Sequence, residues 1–165
     1  MAPSKEGYTL SSPEQRLKEL GIELPNVAPP VAAYVPAVRT GNLVYTSGQI
    51  AAKDGQLLHK GHVGVQVTVE EGQACARQCA LNALAALRSV VGSLDRVRRI
   101  VKVTGWVNCQ PDFTEHHIVM NGASELLIQV FGDRGKHARA AVGASGLPTG
   151  SPVEVELIAE VEPDA

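Results

Sequence analysis

A segment of nine residues near the end of the chain constrains the fold more than any other feature. Between residues 153 and 161, valine, leucine and alanine alternate with glutamate, and this period of two is typical of a β-strand. Such a strand buries one face, so we expect it to lie in a sheet whose apolar face is covered. The predicted core-facing residues are Val153, Val155, Leu157, Ala159 and Val161, and those predicted to face away are Glu154, Glu156 and Glu160.

Two long helices are predicted from capping signals and apolar periodicity. Thr68-Val-Glu-Glu71 is a capping box that opens the longer helix, and Gly92 ends it. Its apolar stripe comprises Ala76, Ala80, Ala83, Leu84, Leu87 and Val91. The other helix is predicted over residues 115–131, where Gly122 indicates a close approach or a break, because glycine costs about 1 kcal/mol inside a helix.

Four further stretches have the composition of strands. Residues 33–39 and 43–50 are rich in valine, tyrosine and threonine and flank a Gly-Asn turn, which predicts a hairpin. Residues 100–107 and 138–144 predict single strands. In the first of these, one face is predicted to carry Val101, Val103 and Val107, and the other Lys102, Thr104 and Trp106. Together with the helices, this order predicts an α+β fold with two helices on one face of a mixed sheet.

The amino-terminal region is predicted to be separate from this domain. Residues 1–30 form a loose arm, a short helix and a proline-rich connector, whereas residues 31–165 form a single domain. The short helix covers roughly residues 13–20, because Ser12 is a favourable N-cap and Gly21 a natural terminator.

Composition excludes several classes of function. The net charge of −2 argues against binding nucleic acid by phosphate neutralisation. The sequence contains no run of 18 apolar residues, so no membrane span is predicted. The first residues lack the apolar region of a signal peptide. The three cysteines contain no CxxC motif and are interpreted as reduced thiols of a cytoplasmic protein.

Metal binding and covalent catalysis find little support in the spacing of residues. His59 and His62 lie in a glycine-rich loop, and the adjacent His116 and His117 cannot face one another on a helix. The sequence contains no G-x-S-x-G motif and no glycine-rich phosphate loop followed by lysine. We therefore expect neither a metal nor a cofactor.

The candidate site lies in the last third of the chain. Arg139 is the only charged residue in the predicted strand of small residues, where a guanidinium has room to bind a carboxylate with two parallel hydrogen bonds. An ion pair with Glu154 or Glu156 is the alternative, and the residues alone leave both open. Glu154 becomes a candidate general base only if another subunit covers the outer face of the sheet.

Four segments in this order and spacing resemble the Rid/YjgF family, also labelled endoribonuclease L-PSP. They are Tyr34 before a strand, Asn42-Leu-Val-Tyr-Thr-Ser-Gly-Gln-Ile50, Ala138-Arg139 leading to Leu147-Pro148, and Val153-Glu-Val-Glu-Leu-Ile-Ala159. The resemblance implies a chorismate-mutase-like fold and a homotrimer with clefts between subunits. It also implies hydrolysis of reactive enamines and imines, such as 2-aminoacrylate, to 2-keto acids and ammonia without a cofactor.

The resemblance also implies roles for particular residues. Arg139 corresponds to the arginine that holds the substrate carboxylate, and Glu154 to the glutamate that positions or activates water. Tyr34, Ser47-Gly48 and Asn121 correspond to other residues of the cleft. The chain departs from the deaminase branch, since it has Ala32-Ala33 in place of Gly-Pro, Ala141 in place of a frequent cysteine, and His137 beside the arginine. These differences are typical of a longer-chain branch.

Two other functions remain as alternatives to hydrolysis. A non-enzymatic trimer that binds small carboxylates or keto acids would keep Arg139 and tolerate loss of the Glu154 charge. Ribonuclease activity follows only from the older family label, because the net charge of −2 and the low aromatic content of 4% provide no basic aromatic platform for RNA.

Overall fold

The computed structural model describes residues 11–27 and 33–164. The predicted loose arm at residues 1–10 and part of the proline-rich connector lie outside these ranges. The helices are α1 (Pro13–Glu19), α2 (Val69–Val91) and α3 (His116–Phe131). The strands are β1 (Ala37–Thr40), β2 (Leu43–Thr46), β3 (Gln49–Ile50), β4 (Ala52–Lys53), β5 (Gln56–Leu57), β6 (Val97–Asn108), β7 (Ala138–Ala144) and β8 (Val153–Val161).

The main sheet is mixed, as predicted. Its strand order is β1-β2-β8-β6-β7, with β3 also paired to β8. The β6–β7 pair is parallel and the other pairs are antiparallel, while β4 and β5 form a separate small hairpin. Helices α2 and α3 pack against each other and against the sheet. The prediction of an α+β fold with two helices on one face of a mixed sheet is confirmed.

Strand β8 lies in the middle of this sheet, between β2 and β6. Five of its apolar residues are buried against the helices, and its glutamates and Ile158 are partly exposed on the other face. The alternation therefore sets the two faces of the sheet, because side chains along a strand point in alternate directions. The buried set is the predicted one: Val153, Val155, Leu157, Ala159 and Val161.

Strand β6 departs from its predicted pattern at one point. Val101 was expected to share the buried face with Val103, and this prediction is wrong, because Val101 is 37% exposed whereas Ile100 is buried. The pairing with β8 shifts register between Ile100 and Lys102. A bulge of this kind inserts one extra residue and reverses the direction of the side chains that precede it.

The two long helices approach each other closely where α3 contains glycine. A side chain at Gly122 would collide with the backbone carbonyl of Gln73 on α2. The close approach is thus the reason for the glycine, and α3 continues through it unbroken. The capping box of α2 is formed as predicted, with Thr68 Oγ1 accepting from the Glu71 amide at 3.1 Å and Glu71 Oε2 accepting from the Thr68 amide at 2.8 Å.

The short helix α1 packs against this core. Ser12 caps it as predicted, and Leu17 is 3% exposed among the core residues. Glu14 accepts a hydrogen bond from the Leu94 amide and lies 3.4 Å from the Arg88 guanidinium, so the helix is fixed to the end of α2. Within the described parts of the chain, no helix is long and apolar enough to cross a membrane.

Candidate functional site

Arg139 lies on β7, the edge strand of the sheet, and its side chain points toward α3. Its Nη1 donates to Asn121 Oδ1 at 3.1 Å and to Ser124 Oγ at 3.0 Å. Its Nη2 donates to the carbonyl of His117 at 3.1 Å. The structure therefore brings together Arg139 and Asn121, two of the residues predicted to bind substrate, and holds them against one helix.

The guanidinium has no carboxylate partner in the described ranges, 11–27 and 33–164. The alternative of an ion pair with Glu154 or Glu156 is therefore not formed within one chain. The acceptors that hold it are neutral, so its positive charge is not compensated. A guanidinium has five N–H donors. The three contacts to α3 use three of these donors and leave two for a ligand.

Two residues that sequence reasoning did not assign complete this network. Ser124 Oγ lies 2.9 Å from His137 Nε2, and His137 Nδ1 lies 2.6 Å from the carbonyl oxygen of Gly135. Burial, and then the charge of Arg139, lower the pKa of His137. The imidazole is therefore neutral at neutral pH, and it contacts Ser124 and the Gly135 carbonyl through hydrogen bonds rather than through charge.

Glu154 occupies the opposite face of the sheet. It lies on β8 between Ile50 on β3 and Trp106 on β6. Burial raises the pKa of Glu154, and the neighbouring Glu156 raises it further. A carboxylate in such a place is a better proton acceptor than an exposed one. A side chain at Gly48 would collide with the carboxylate of Glu154, so the glycine makes room for it.

Ser47 directly precedes Gly48, and its hydrogen bonds hold the segment that follows Tyr34. Ser47 Oγ donates to the carbonyl of Val35 at 2.6 Å, and the Ser47 amide donates to the carbonyl of Pro36 at 2.8 Å. These bonds fasten the segment before β1 to the turn after β2. Tyr34 is 48% exposed at the start of that segment. The predicted residues thus fall into two groups, one around Arg139 and one around Glu154.

These two groups are not brought together within one chain. Arg139 pairs with Val103, and Val103 pairs with Leu157, so Arg139 lies two strands from β8 and on the buried face. Glu154 is three residues along β8 from Leu157 and points to the other face. Strand spacing and rise place the two α-carbons about 14 Å apart. A cleft that contains both side chains requires two copies of the chain.

A cavity of about 510 Å³ lies beyond the carboxyl ends of β6 and β7. In it, Cys109 Sγ lies 3.4 Å from His116 Nε2, and the ring of Phe113 meets that imidazole edge-on with centroids 5.2 Å apart. A side chain at Gly143 would crowd both groups. Burial raises the pKa of Cys109, so its thiol is protonated at neutral pH. His116, which lines the cavity, directly precedes His117, whose carbonyl accepts from Arg139. The cavity and the guanidinium therefore both contact the first turn of α3.

The cavity was not predicted from the sequence, where His116 and His117 were considered only as possible metal ligands. The signal in the sequence was the order strand, helix, strand over β6, α3 and β7. Such an order favours a parallel pair of strands whose carboxyl ends lie side by side, and the structure contains that pair. In the described residues, no cluster of three or more histidine, cysteine, aspartate or glutamate side chains could hold a metal ion.

The mixed sheet with two helices on one face defines a class, that of chorismate-mutase-like α+β proteins, and comparison with known proteins agrees. The family model described as "YjgF/chorismate_mutase-like, putative endoribonuclease" matches residues 14–161. The chain belongs to this family.

Individual relatives cover nearly the whole chain. Protein TCP17 of Trypanosoma cruzi is 45% identical over 146 residues, which are 88% of this chain and 91% of that protein. The solved structure of Atu1372 from Agrobacterium tumefaciens, described as of unknown function, is 44% identical with a TM-score of 0.84 and covers 91% of this chain and 92% of its own. A "putative endoribonuclease" from Shewanella oneidensis is 38% identical with a TM-score of 0.88 and covers 92% of this chain and 100% of its own.

Proposed function

We propose that the protein hydrolyses small, reactive enamines and imines that carry a carboxylate, such as 2-aminoacrylate, to 2-keto acids and ammonia. The observation that carries the proposal is Arg139, a partly buried guanidinium held by three neutral acceptors, with two N–H donors left and no carboxylate partner in the described ranges. Such a group favours an anionic ligand, and its flat shape matches a carboxylate.

The reaction needs one water molecule beside the imine carbon. The enamine first tautomerises to the imine. Water then adds to the C=N carbon, a proton passes to the nitrogen, and ammonia leaves as the carbonyl forms. Glu154 is the proposed proton acceptor for that water, since burial has raised its pKa toward the range that suits general base catalysis at neutral pH. Because water supplies every atom that is added, the proposal includes no cofactor.

The active assembly is proposed to be a homotrimer with a cleft at each subunit contact. The argument is geometric, since one chain holds Arg139 and Glu154 on opposite faces of the sheet. The face that carries Glu154 also carries apolar residues that two helices leave uncovered. Val38 is 55% exposed, Tyr45 39% and Val142 43%. A second copy packed on this face would cover them and add the missing half of the site.

The test is a coupled assay in which 2-aminoacrylate is generated freshly and the 2-keto acid is reduced by a dehydrogenase. We expect Arg139→Ala and Glu154→Gln each to lower the protein-dependent rate at least about 100-fold. Matched controls are Arg98→Ala, an exposed arginine, and Glu160→Gln on the same face of β8. Equal rates with and without the parent protein would refute the hydrolase.

Binding without turnover is the second candidate function, because the network around Arg139 is complete in one chain and does not involve Glu154. In that case 2-keto acids would raise the melting temperature of both the parent and Glu154→Gln, while no ammonia is released. Ribonuclease activity ranks last, because a net charge of −2 disfavours RNA. RNA cleavage that disappears in Arg139→Ala would revive it.

A further inference from the structure

We propose that His137 and Ser124 form a hydrogen-bond relay that fixes the orientation of the Arg139 guanidinium and so presents its remaining donors to the substrate carboxylate. They are positioning residues, because neither needs to touch the substrate. The inference rests on Arg139 being the carboxylate anchor of the proposed function. It extends that function by assigning roles to two side chains on different elements, α3 and the turn before β7.

The relay begins at a backbone carbonyl that is firmly held. Gly135 is buried, and a side chain there would collide with the carbonyl of Leu127 on α3. The turn that carries the Gly135 carbonyl is therefore packed tightly against the helix. This close contact gives the relay a fixed starting point.

The direction of each hydrogen bond follows from chemistry. A carbonyl oxygen can only accept, so the contact of 2.6 Å between Gly135 and His137 Nδ1 places the ring hydrogen on Nδ1. In the neutral imidazole, Nε2 must then accept, and the donor at 2.9 Å is the hydroxyl of Ser124. The lone pairs of Ser124 Oγ are thereby left for Arg139 Nη1, which lies at 3.0 Å.

The result is a guanidinium held at both of its terminal nitrogens. Nη1 donates to Ser124 and to Asn121, and Nη2 donates to the carbonyl of His117, so rotation about the Nε–Cζ bond is opposed by three contacts. Loss of the Ser124 hydroxyl, or of the acceptor on His137 that orients it, would leave one of the two Nη1 hydrogens without its defined partner. The donors that face the ligand would then lose their fixed direction.

A purely structural role, in which these bonds only tie β7 to α3, is the competing explanation. The two are separated by conservative and non-conservative variants at the same positions. His137→Gln retains an acceptor for Ser124, whereas His137→Leu does not. Ser124→Thr retains the hydroxyl, whereas Ser124→Ala removes it. The matched controls are Ser89→Ala on α2 and His59→Leu in the loop before it, whose side chains contact Ala86 and Glu71 and take no part in the network around Arg139.

The first measurement is binding of 2-oxobutyrate by calorimetry. We expect Ser124→Ala and His137→Leu to weaken binding about threefold to tenfold, the range for one lost hydrogen bond. We expect the affinities of the two conservative variants, Ser124→Thr and His137→Gln, to stay within about twofold of the parent. The same holds for the two controls. Equal affinity of the parent, Ser124→Ala and His137→Leu would overturn the relay, as would an equal loss in His137→Gln and His137→Leu.

The second measurement does not depend on a ligand. In ¹⁵N NMR spectra, a guanidinium that rotates slowly gives separate Nη1 and Nη2 signals, and those of Arg139 are identified by their absence in Arg139→Lys. We expect separate signals in the parent and merged signals in Ser124→Ala and His137→Leu. If 2-oxobutyrate does not bind the parent, these spectra still decide the relay, while the coupled assay decides the proposed function. Separate signals in all variants would overturn it.

Discussion

Replacing Gly122 by alanine tests the close approach of α2 and α3. Two effects of opposite sign compete. Alanine is the better helix former by about 1 kcal/mol, which would stabilise α3. Its methyl group, however, would collide with the backbone carbonyl of Gln73, which cannot rotate away as the end of a side chain could. Overpacking of this kind costs typically about 1–3 kcal/mol.

A second loss adds to the collision. The side-chain amide of Gln73 donates to the carbonyl of Ile118 at 3.0 Å, and separating the helices would strain this bond, which is worth about 1 kcal/mol. The net expectation for Gly122→Ala is a destabilisation of about 1–3 kcal/mol, because the overpacking and the strained bond together exceed the gain in helix propensity. For a domain of this size it corresponds to a fall in melting temperature of roughly 2–12 °C.

The assay is urea denaturation at one protein concentration, since stability depends on concentration if the chain oligomerises. Gly146→Ala is the matched control, because nothing lies within 4 Å of a side chain at that position. We expect its midpoint to stay within error of the parent. Gly122→Ala that is as stable as the parent, or more stable, would refute the reasoning.

Three further outcomes follow from the structure. Gly48→Ala should lower the rate of hydrolysis about as much as Glu154→Gln does. It should change the free energy of unfolding by less than about 1 kcal/mol, because it displaces only the end of the Glu154 side chain. Retained activity would contradict this prediction. Iodoacetamide should modify Cys109, which lines the cavity, before the fully buried Cys75 and Cys79, as peptide mapping would reveal. The raised pKa of Glu154 means that the folded state binds this proton more tightly than the unfolded state. The parent should therefore lose stability relative to Glu154→Gln as the pH rises through the pKa of Glu154, and a constant difference in denaturation midpoints would oppose this.

The parts of the fold that the sequence predicted are those set by local patterns. The alternation of β8 and the capping box at Thr68 and Glu71 depend on residues within one element, so periodicity and spacing are sufficient to find them. The direction of Val101 was missed because it depends on a bulge in the pairing of β6 with β8. That bulge joins residues more than 50 positions apart, and no local pattern encodes it.

The candidate site divides in the same way. Arg139 was identifiable because a lone charge among small residues is unusual within a strand. One of the contacts that hold it comes from Ser124, 15 residues away, and Ser124 in turn contacts His137. This arrangement depends on how α3 packs on β7. The pairing of Cys109 with His116 likewise depends on the loop that joins β6 to α3. These contacts depend on tertiary packing, which residue spacing alone does not determine.

The placement of Arg139 and Glu154 on opposite faces of one sheet has a genetic consequence. In the proposed trimer, each copy would give its arginine to one cleft and its glutamate to another, so two inactive variants could complement each other. Co-expression of Arg139→Ala with Glu154→Gln would restore about one cleft in four, since each cleft would need one intact half from each of two copies. A double variant carrying both changes on one chain, mixed with the parent, would retain the same share, about one cleft in four. Activity would then be a property of the assembled trimer, and no single chain could be classed as active or inactive by itself.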